Sequence, residues 1–345
     1  MIRLLQNALF PILWLPAQFY SRFMRLRAHW YQQKEKVPAP EFCVSVGNIA
    51  WGGRGKSPFC RFLAEMLIAR KRKPLLLTRG YKARPPLYPH RVRQTDNPVI
   101  CGDEPLEFLS SFPELEVVVD PDRVRAMNWV RANLEFDSVI LDDGFQHLRM
   151  PRDLDIVLLS GFDLGPGWNR VIPSGEWRED KNALKRADAM AINADGKDLK
   201  RLRGLAQERL GEFYGEVIFF WTEPAGLRRV KDGEQTTDGG GEYLLAAGIG
   251  DPQRFVSTAA AFLDAPPRKS ILFPDHHCYT AKDWQKIKKA AAENQCPRIL
   301  CTNKDAVKLS SLADETLYAL DIRIRMEDED LAAIDRMLGH GLQDK

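Results

Sequence analysis

The chain has 345 residues, 44% of them apolar and 28% charged, with a net charge of +3. That composition excludes a disordered or low-complexity chain, gives room for two domains, and offers no overall charge for nucleic acid. The six cysteines (Cys43, Cys60, Cys101, Cys278, Cys296 and Cys301) are scattered without a CxxC pair, which speaks against zinc and for a reduced, cytosolic chain.

At the N-terminus, Leu4–Tyr20 carries no charge and is rich in Leu, Phe, Trp and Ile, while residues 1–36 hold six basic side chains (Arg3, Arg22, Arg25, Arg27, Lys34, Lys36) against Glu35 alone. No small-residue cleavage site follows, so a signal peptide is excluded. A span needs about 20 apolar residues; this stretch is shorter, contains Gln6, Asn7 and Gln18, and is broken by Pro11 and Pro16. Residues 1–28 therefore read as a membrane-interface segment, with Trp14, Phe19 and Tyr20 at headgroup depth and the arginines on anionic lipid. The competing reading is a hydrophobic first helix packed on the domain.

Short apolar runs then alternate with helical stretches: Phe42–Val46, Pro74–Thr78, Leu115–Val119, Ser138–Leu141, Asp155–Ser160 and Ala187–Ile192. This predicts a mostly parallel sheet covered by helices. A second series follows at Val217–Trp221, Tyr243–Ala247, Lys269–Phe273, Arg298–Cys301 and Leu317–Ile322, after a charged, Gly-rich stretch, Glu223–Gly241, that reads as a linker or hairpin loop.

Between the first strand and the helix Pro58–Arg70 lies Gly47-Asn-Ile-Ala-Trp-Gly-Gly-Arg-Gly-Lys-Ser57. A strand, a Gly-rich loop ending in Gly-Lys-Ser and a helix form the context of a Walker loop. Gly52, Gly53 and Gly55 allow the backbone N–H groups to converge on phosphate. Lys56 can pair with β- and γ-phosphates, and Ser57 can ligate Mg²⁺. Ala50 stands where the strict pattern has Gly. The strand Ser138–Leu141 ends in Asp142 and Asp143, a carboxylate pair placed for a metal ion near the phosphates. Asp103 and Glu104 open a helix, and Asp275-His276-His277 follows a strand; an Asp–His couple can accept a proton. The loop alone fits a membrane-targeted ATPase switch or a kinase for a soluble sugar as well as a lipid kinase.

The runs Ser45-Val-Gly-Asn48, Gly52-Gly-Arg-Gly-Lys-Ser-Pro58, Thr78-Arg-Gly-Tyr81, Gly102-Asp-Glu-Pro105, Leu141-Asp-Asp-Gly-Phe-Gln-His147, Phe273-Pro-Asp-His-His277 and Thr302-Asn-Lys-Asp-Ala-Val-Lys308 occur in that order. Together they resemble the tetraacyldisaccharide 4′-kinase family. The resemblance implies a P-loop NTPase-like α/β fold with a second, smaller α/β domain. It divides the chain into a membrane-interface segment (1–28), a P-loop kinase domain (29–215), a linker or hairpin (216–240) and a C-terminal domain (241–345). It implies ATP and Mg²⁺ as cofactors and transfer of the γ-phosphate to the 4′-hydroxyl of a tetraacyldisaccharide 1-phosphate, the lipid A precursor. The site would lie at the cytoplasmic face of the inner membrane.

Residue by residue, Ala50, Trp51, Gly52, Gly53, Arg54, Gly55, Lys56 and Ser57 match the ATP-binding loop. Ser57, Asp142 and Asp143 match the metal side, with Glu179 as a further acid there and Glu176 as its alternative. Asp103 matches the acid that takes the hydroxyl proton, and His276 its partner. Arg123, Gln146, His147 and Asp275 match nearby site positions. The family more often has Thr where Ser57 stands and Glu where Asn303 stands.

Overall fold

A computed structural model describes residues 6, 9–33, 41–194, 198–236 and 240–343. Arg3, Lys34 and Lys36 of the basic cluster and part of the Gly-rich stretch at 237–239 lie outside the described residues. The first strands are β1 (Cys43–Asn48), β2 (Pro74–Thr78), β3 (His90–Arg91), β4 (Glu116–Val119), β5 (Ser138–Asp142), β6 (Leu154–Ser160) and β7 (Ala189–Asn193). They are followed by β8 (Glu216–Arg229), β9 (Gln235–Thr236), β10 (Tyr243–Ala247), β11 (Lys269–Leu272), β12 (Arg298–Cys301) and β13 (Leu317–Arg325). They form one mixed sheet in the order β11-β10-β12-β13-β8-β7-β6-β1-β5-β2-β4-β3, with β9 paired to β8. Every residue of β1, β2, β5 and β7 is buried, which explains their unbroken apolar runs: helices cover both faces.

The register sets the chemistry. β1 lies between β5 and β6, all parallel, and Val46 pairs with Asp142. The loop leaving β1 and the acids ending β5 therefore emerge side by side at the C-terminal edge of the sheet, where ligands bind in open α/β sheets.

β8 joins the two halves. Its first residues run parallel to β7, and from Trp221 to Arg229 it pairs antiparallel with β13. The loop expected over Glu223–Gly241 is thus strand as far as Arg229. Pro224 cannot donate to the ladder, and the register shifts opposite it, between Asp321 and Ile322. The last helix, Asp328–Gln343, belongs in sequence to the expected C-terminal domain. It crosses back and buries Ala333, Ile334 and Leu338 in the core of the first half, beside Phe42 and Leu63. Its apolar residues recur at helical spacing, so they need an apolar partner surface, and the first half supplies it.

The N-terminal helix runs unbroken from Phe10 to Gln32. Pro11 sits in the first turn, where its missing N–H costs nothing, and Pro16 is carried inside the helix rather than ending it as the sequence suggested. Ala17, Ser21 and Ala28 are buried against the body, whereas Ile12, Leu15, Phe19, Phe23, Leu26 and Trp30 form an exposed stripe. Among the described residues, no helix is long and apolar enough to cross a membrane.

Candidate active site

The phosphate-gripping loop is braced from behind. Gly52 and Gly55 both have φ of +92°, a backbone conformation that L side chains rarely adopt. Asn48 at the end of β1 donates to the Gly52 carbonyl (3.2 Å) and accepts from Lys56 Nζ (3.3 Å). Ala50 bridges to Trp177, and Trp51 N–H donates to the Glu176 carbonyl (2.9 Å). Ala50 thus occupies a buried slot against Trp177, which accounts for the departure from Gly at the start of the loop.

Arg54, expected among the phosphate contacts, has a guanidinium that is 5% exposed and held by carboxylates. It donates to both oxygens of Asp163 (2.7 and 3.0 Å) and to Glu176 (2.7 Å). Asp163 also accepts from Trp177 Nε1 at 3.1 Å, so the charge pair fastens the loop to the segment that backs it. The Nε and Nη2 donors of the guanidinium are thus committed to two carboxylates, and Nη1 lies on the Gly52 side of the loop.

Lys56 opens the helix Lys56–Ala69, with Nζ 3.6 Å from Asp143. Arg178 donates to both Asp143 oxygens at 3.2 Å and to Gln146 Oε1 at 2.9 Å. Gln146 in turn donates to the Asn48 carbonyl at 3.1 Å. Burial alone would raise the pKa of Asp143, yet Lys56 and Arg178 hold it below the usual value. Asp142 differs: burial, with Glu104 close by, pushes its carboxyl up to about 6 despite Lys56 and a 2.8 Å hydrogen bond from Thr78. The site is therefore short of positive charge at Asp142.

Arg123 is buried, with its guanidinium on the carbonyls of Asp120 and Asp142, both at 3.0 Å. His147 Nε2 accepts the Arg123 backbone N–H at 3.2 Å. Burial, then Arg123 and Arg152, push the His147 pKa down to about 4, so its imidazole is neutral. The Glu179 carboxylate accepts from Arg186 at 3.0 Å. Both candidate extra acids, Glu176 and Glu179, are already neutralised by arginines. Among the described residues, no three His, Cys, Asp or Glu side chains gather around one metal position.

The second half reaches into the same place. Asp103 Oδ2 and His276 Nδ1 are 2.9 Å apart, although 173 positions separate them in sequence. His276 has φ of +59°, costly for a side chain of this kind and held by its backbone N–H to the Gly248 carbonyl at 3.2 Å. Asp275, expected to share the couple, is mostly exposed, its carboxylate 3.9 Å from His276 Nε2. Tyr81, 61% exposed, brings its ring to 5.5 Å from the His276 ring. Sequence reasoning passed over Glu104, which accepts from Ser57 Oγ at 3.3 Å and from Lys304 Nζ. Adjacent acids at a helix start gave no specific role, and the matched run Thr302–Lys308 contained Lys304 without indicating its partner, which lies 200 positions away.

The loop, the acids of β5 and the Asp103–His276 couple thus converge. A family model described as tetraacyldisaccharide-1-P 4′-kinase, LpxK, matches residues 9–339. The chain belongs to this family. Tetraacyldisaccharide 4′-kinases from Nitratidesulfovibrio vulgaris and Oleidesulfovibrio alaskensis are each 38% identical to it, covering 92% of this chain and 90% and 88% of their own length. A crystal structure of LpxK from Aquifex aeolicus in complex with ATP superimposes with a TM-score of 0.75 at 26% identity, covering 98% of this chain and 99% of that one.

Proposed function

We propose that the protein is an ATP-dependent kinase that phosphorylates the 4′-hydroxyl of a tetraacyldisaccharide 1-phosphate in lipid A biosynthesis. The observation that carries this reading is the 2.9 Å contact of Asp103 with His276 at the mouth of a Lys56 phosphate loop, in a chain of this family. A switch ATPase has no use for such a couple.

Phosphoryl transfer is chiefly positioning and charge stabilisation. Lys56 and the loop amides take charge from the β- and γ-phosphates. Asp103 orients the sugar hydroxyl and accepts its proton late, since a loose transition state needs little early proton removal. His276 fixes the rotamer of Asp103 and shares that proton. Arg178 and Gln146 hold Asp143 and the floor of the loop in place, and neutral His147 supports the backbone at Arg123. The donors near Ser57, Asp142 and Asp143 are all oxygen, and the buried Asp142 carboxylate lacks a full counter-charge, which fits a hard divalent cation such as Mg²⁺. When bound, Mg²⁺ would offset charge between these acids and the phosphates, with water and phosphate oxygens completing its shell. The two sheet halves would then act as two domains, one bringing the nucleotide and the other His276.

The N-terminal helix would place the site at a membrane. Its exposed stripe, Ile12, Leu15, Phe19, Phe23, Leu26 and Trp30, lies with Arg22 and Arg25 on a helix anchored beside the loop-bracing segment by Arg25–Asp180 at 3.2 Å. A membrane-resident acceptor would thereby meet the phosphate loop.

The test is transfer of label from γ-labelled ATP to tetraacyldisaccharide 1-phosphate in mixed micelles. Asp103→Ala should lower kcat by at least about 100-fold and leave the KM for ATP nearly unchanged. ATP hydrolysis with no labelled lipid would refute the kinase reading. Phe19→Asp with Phe23→Asp should abolish sedimentation with anionic lipid vesicles; undiminished sedimentation would remove the membrane reading.

A further inference from the structure

We infer that Lys304, carried by the second half of the molecule, is a phosphate-facing cation of the transfer site, with Glu104 as its resting partner. This rests on the kinase reading and deepens it. One carboxylate oxygen of Glu104 accepts both the Ser57 hydroxyl, at 3.3 Å, and the Lys304 ammonium. Lys304 Nζ is therefore two hydrogen bonds from the residue that follows the P-loop lysine. Its backbone is fixed because the helix Asn303–Leu309 packs on the helix Asp103–Ser111.

The surroundings show why a lysine here is more than a tether. Three acids, Asp103, Glu104 and Glu107, act on it electrostatically. Glu107 already has Arg61 at 3.0 Å, and Asp103 has His276 at 2.9 Å, so Lys304 answers to Glu104. Its side chain is half-buried, 32% exposed, so the ammonium keeps an accessible face. An ammonium has three donors on a flexible stem. It can keep Glu104 and still give a hydrogen bond to a terminal phosphate oxygen arriving above Ser57.

That role also meets a need. The first half supplies Lys56 for the phosphates but crowds Asp142, Asp143 and Glu104 around the same point. A γ-phosphate entering there would face repulsion from Glu104 unless a cation stood between them. Lys304 is so placed, and it stays protonated throughout, neither donating nor taking a proton. Because it comes from the same half as His276, recognition of the terminal phosphate and presentation of the proton-accepting couple become one event. ADP, lacking that phosphate, would not engage it.

The experiment uses the full-length protein and compares binding of a non-hydrolysable ATP analogue with binding of ADP by calorimetry, in buffer with and without Mg²⁺. Wild type should prefer the triphosphate. Lys304→Met should weaken the analogue by roughly ten- to a hundredfold, the worth of a charged hydrogen bond, and ADP by less than about threefold. Lys304→Arg should restore part of the preference, since it keeps the charge but not the compact ammonium. A triphosphate-to-diphosphate preference unchanged in Lys304→Met overturns the inference. So does an equal loss for both nucleotides with a lowered melting temperature, which would mark Lys304 as a structural tether. Should Lys304→Met not fold, Lys304→Gln, which keeps a hydrogen bond without the charge, reads the same ratio. None of these readouts needs the lipid acceptor. Failure of the kinase reading would appear separately, as wild-type protein that leaves the lipid unlabelled.

Discussion

Replacing Arg54 with methionine separates two roles that its place in the loop leaves open. A phosphate-binding arginine contributes when nucleotide is present and costs little stability when it is lost. Arg54 instead makes three hydrogen bonds, two to Asp163 and one to Glu176, and Asp163 is fully buried. Arg54→Met would strand that carboxylate with only Trp177 and Ser160 as partners. Breaking a buried pair by removing one member costs about 3–5 kcal/mol. In a unit the size of the first half this lowers Tm by roughly 6–20 °C. The assay is thermal unfolding in nucleotide-free, metal-free buffer, followed by circular dichroism. Lys56→Met is the control: its Nζ sits 3.6 Å from Asp143 and is partly exposed, so it should abolish ATP binding while moving the apo Tm little. An Arg54→Met protein that melts within about 2 °C of wild type yet loses ATP affinity would refute the bracing role and return Arg54 to the phosphates.

Two further predictions concern the titrating groups. The His147 pKa is depressed to about 4, so the folded protein binds fewer protons than the unfolded chain between about 4 and 6.5. Stability from the neutral imidazole is thus fully present above pH 6.5 and is lost as pH falls towards 4, by an amount on the order of 3 kcal/mol. Urea unfolding of wild type and His147→Gln at pH 7 and pH 4.5 should show the wild type losing more; parallel losses would mean that His147 is not held neutral by the fold. Asp155, raised by burial to about 6, works in the opposite sense and is present in both proteins, so the comparison removes it. Asp142→Asn should raise the apo Tm, because the fold penalises the carboxylate at neutral pH, while lowering turnover at least about 100-fold. A fall in apo Tm would show that the Asp142 charge stabilises the fold.

The sequence disclosed what local chemistry encodes. The phosphate loop between β1 and its helix, the acids ending β5 and eleven of the strands follow from runs that neighbouring residues make unambiguous, and the structure places each within two residues except at the far end of β8 and β13. The two-residue strands β3 and β9 are too short to carry a periodic signal. Loss of legibility begins where partners are remote. Nothing near Arg54 in the sequence announces Asp163, 109 positions later, as the carboxylate that holds it. The last helix reads as the end of the second domain because nothing in its own residues names Phe42 and Leu63 as its partners.

The same distinction explains why the site needed two sources of information. Its nucleotide half is one contiguous supersecondary unit, and a single motif suffices to find it. Its acceptor half exists only because β8 carries the sheet through into a second set of strands, bringing His276 to Asp103 and Lys304 to Glu104. Those two contacts fall on adjacent residues at the start of one helix. Asp103 and Glu104 cannot turn to the same side, so one carboxylate faces His276 and the other faces the Ser57 hydroxyl. A shift of the second half relative to the first would disturb both contacts together. If Asp103 accepts the proton as proposed, proton acceptance and charge at the phosphate loop are mechanically linked, and a substitution at the β8–β13 junction, such as one removing the bulge opposite Pro224, should lower kcat through both without touching either.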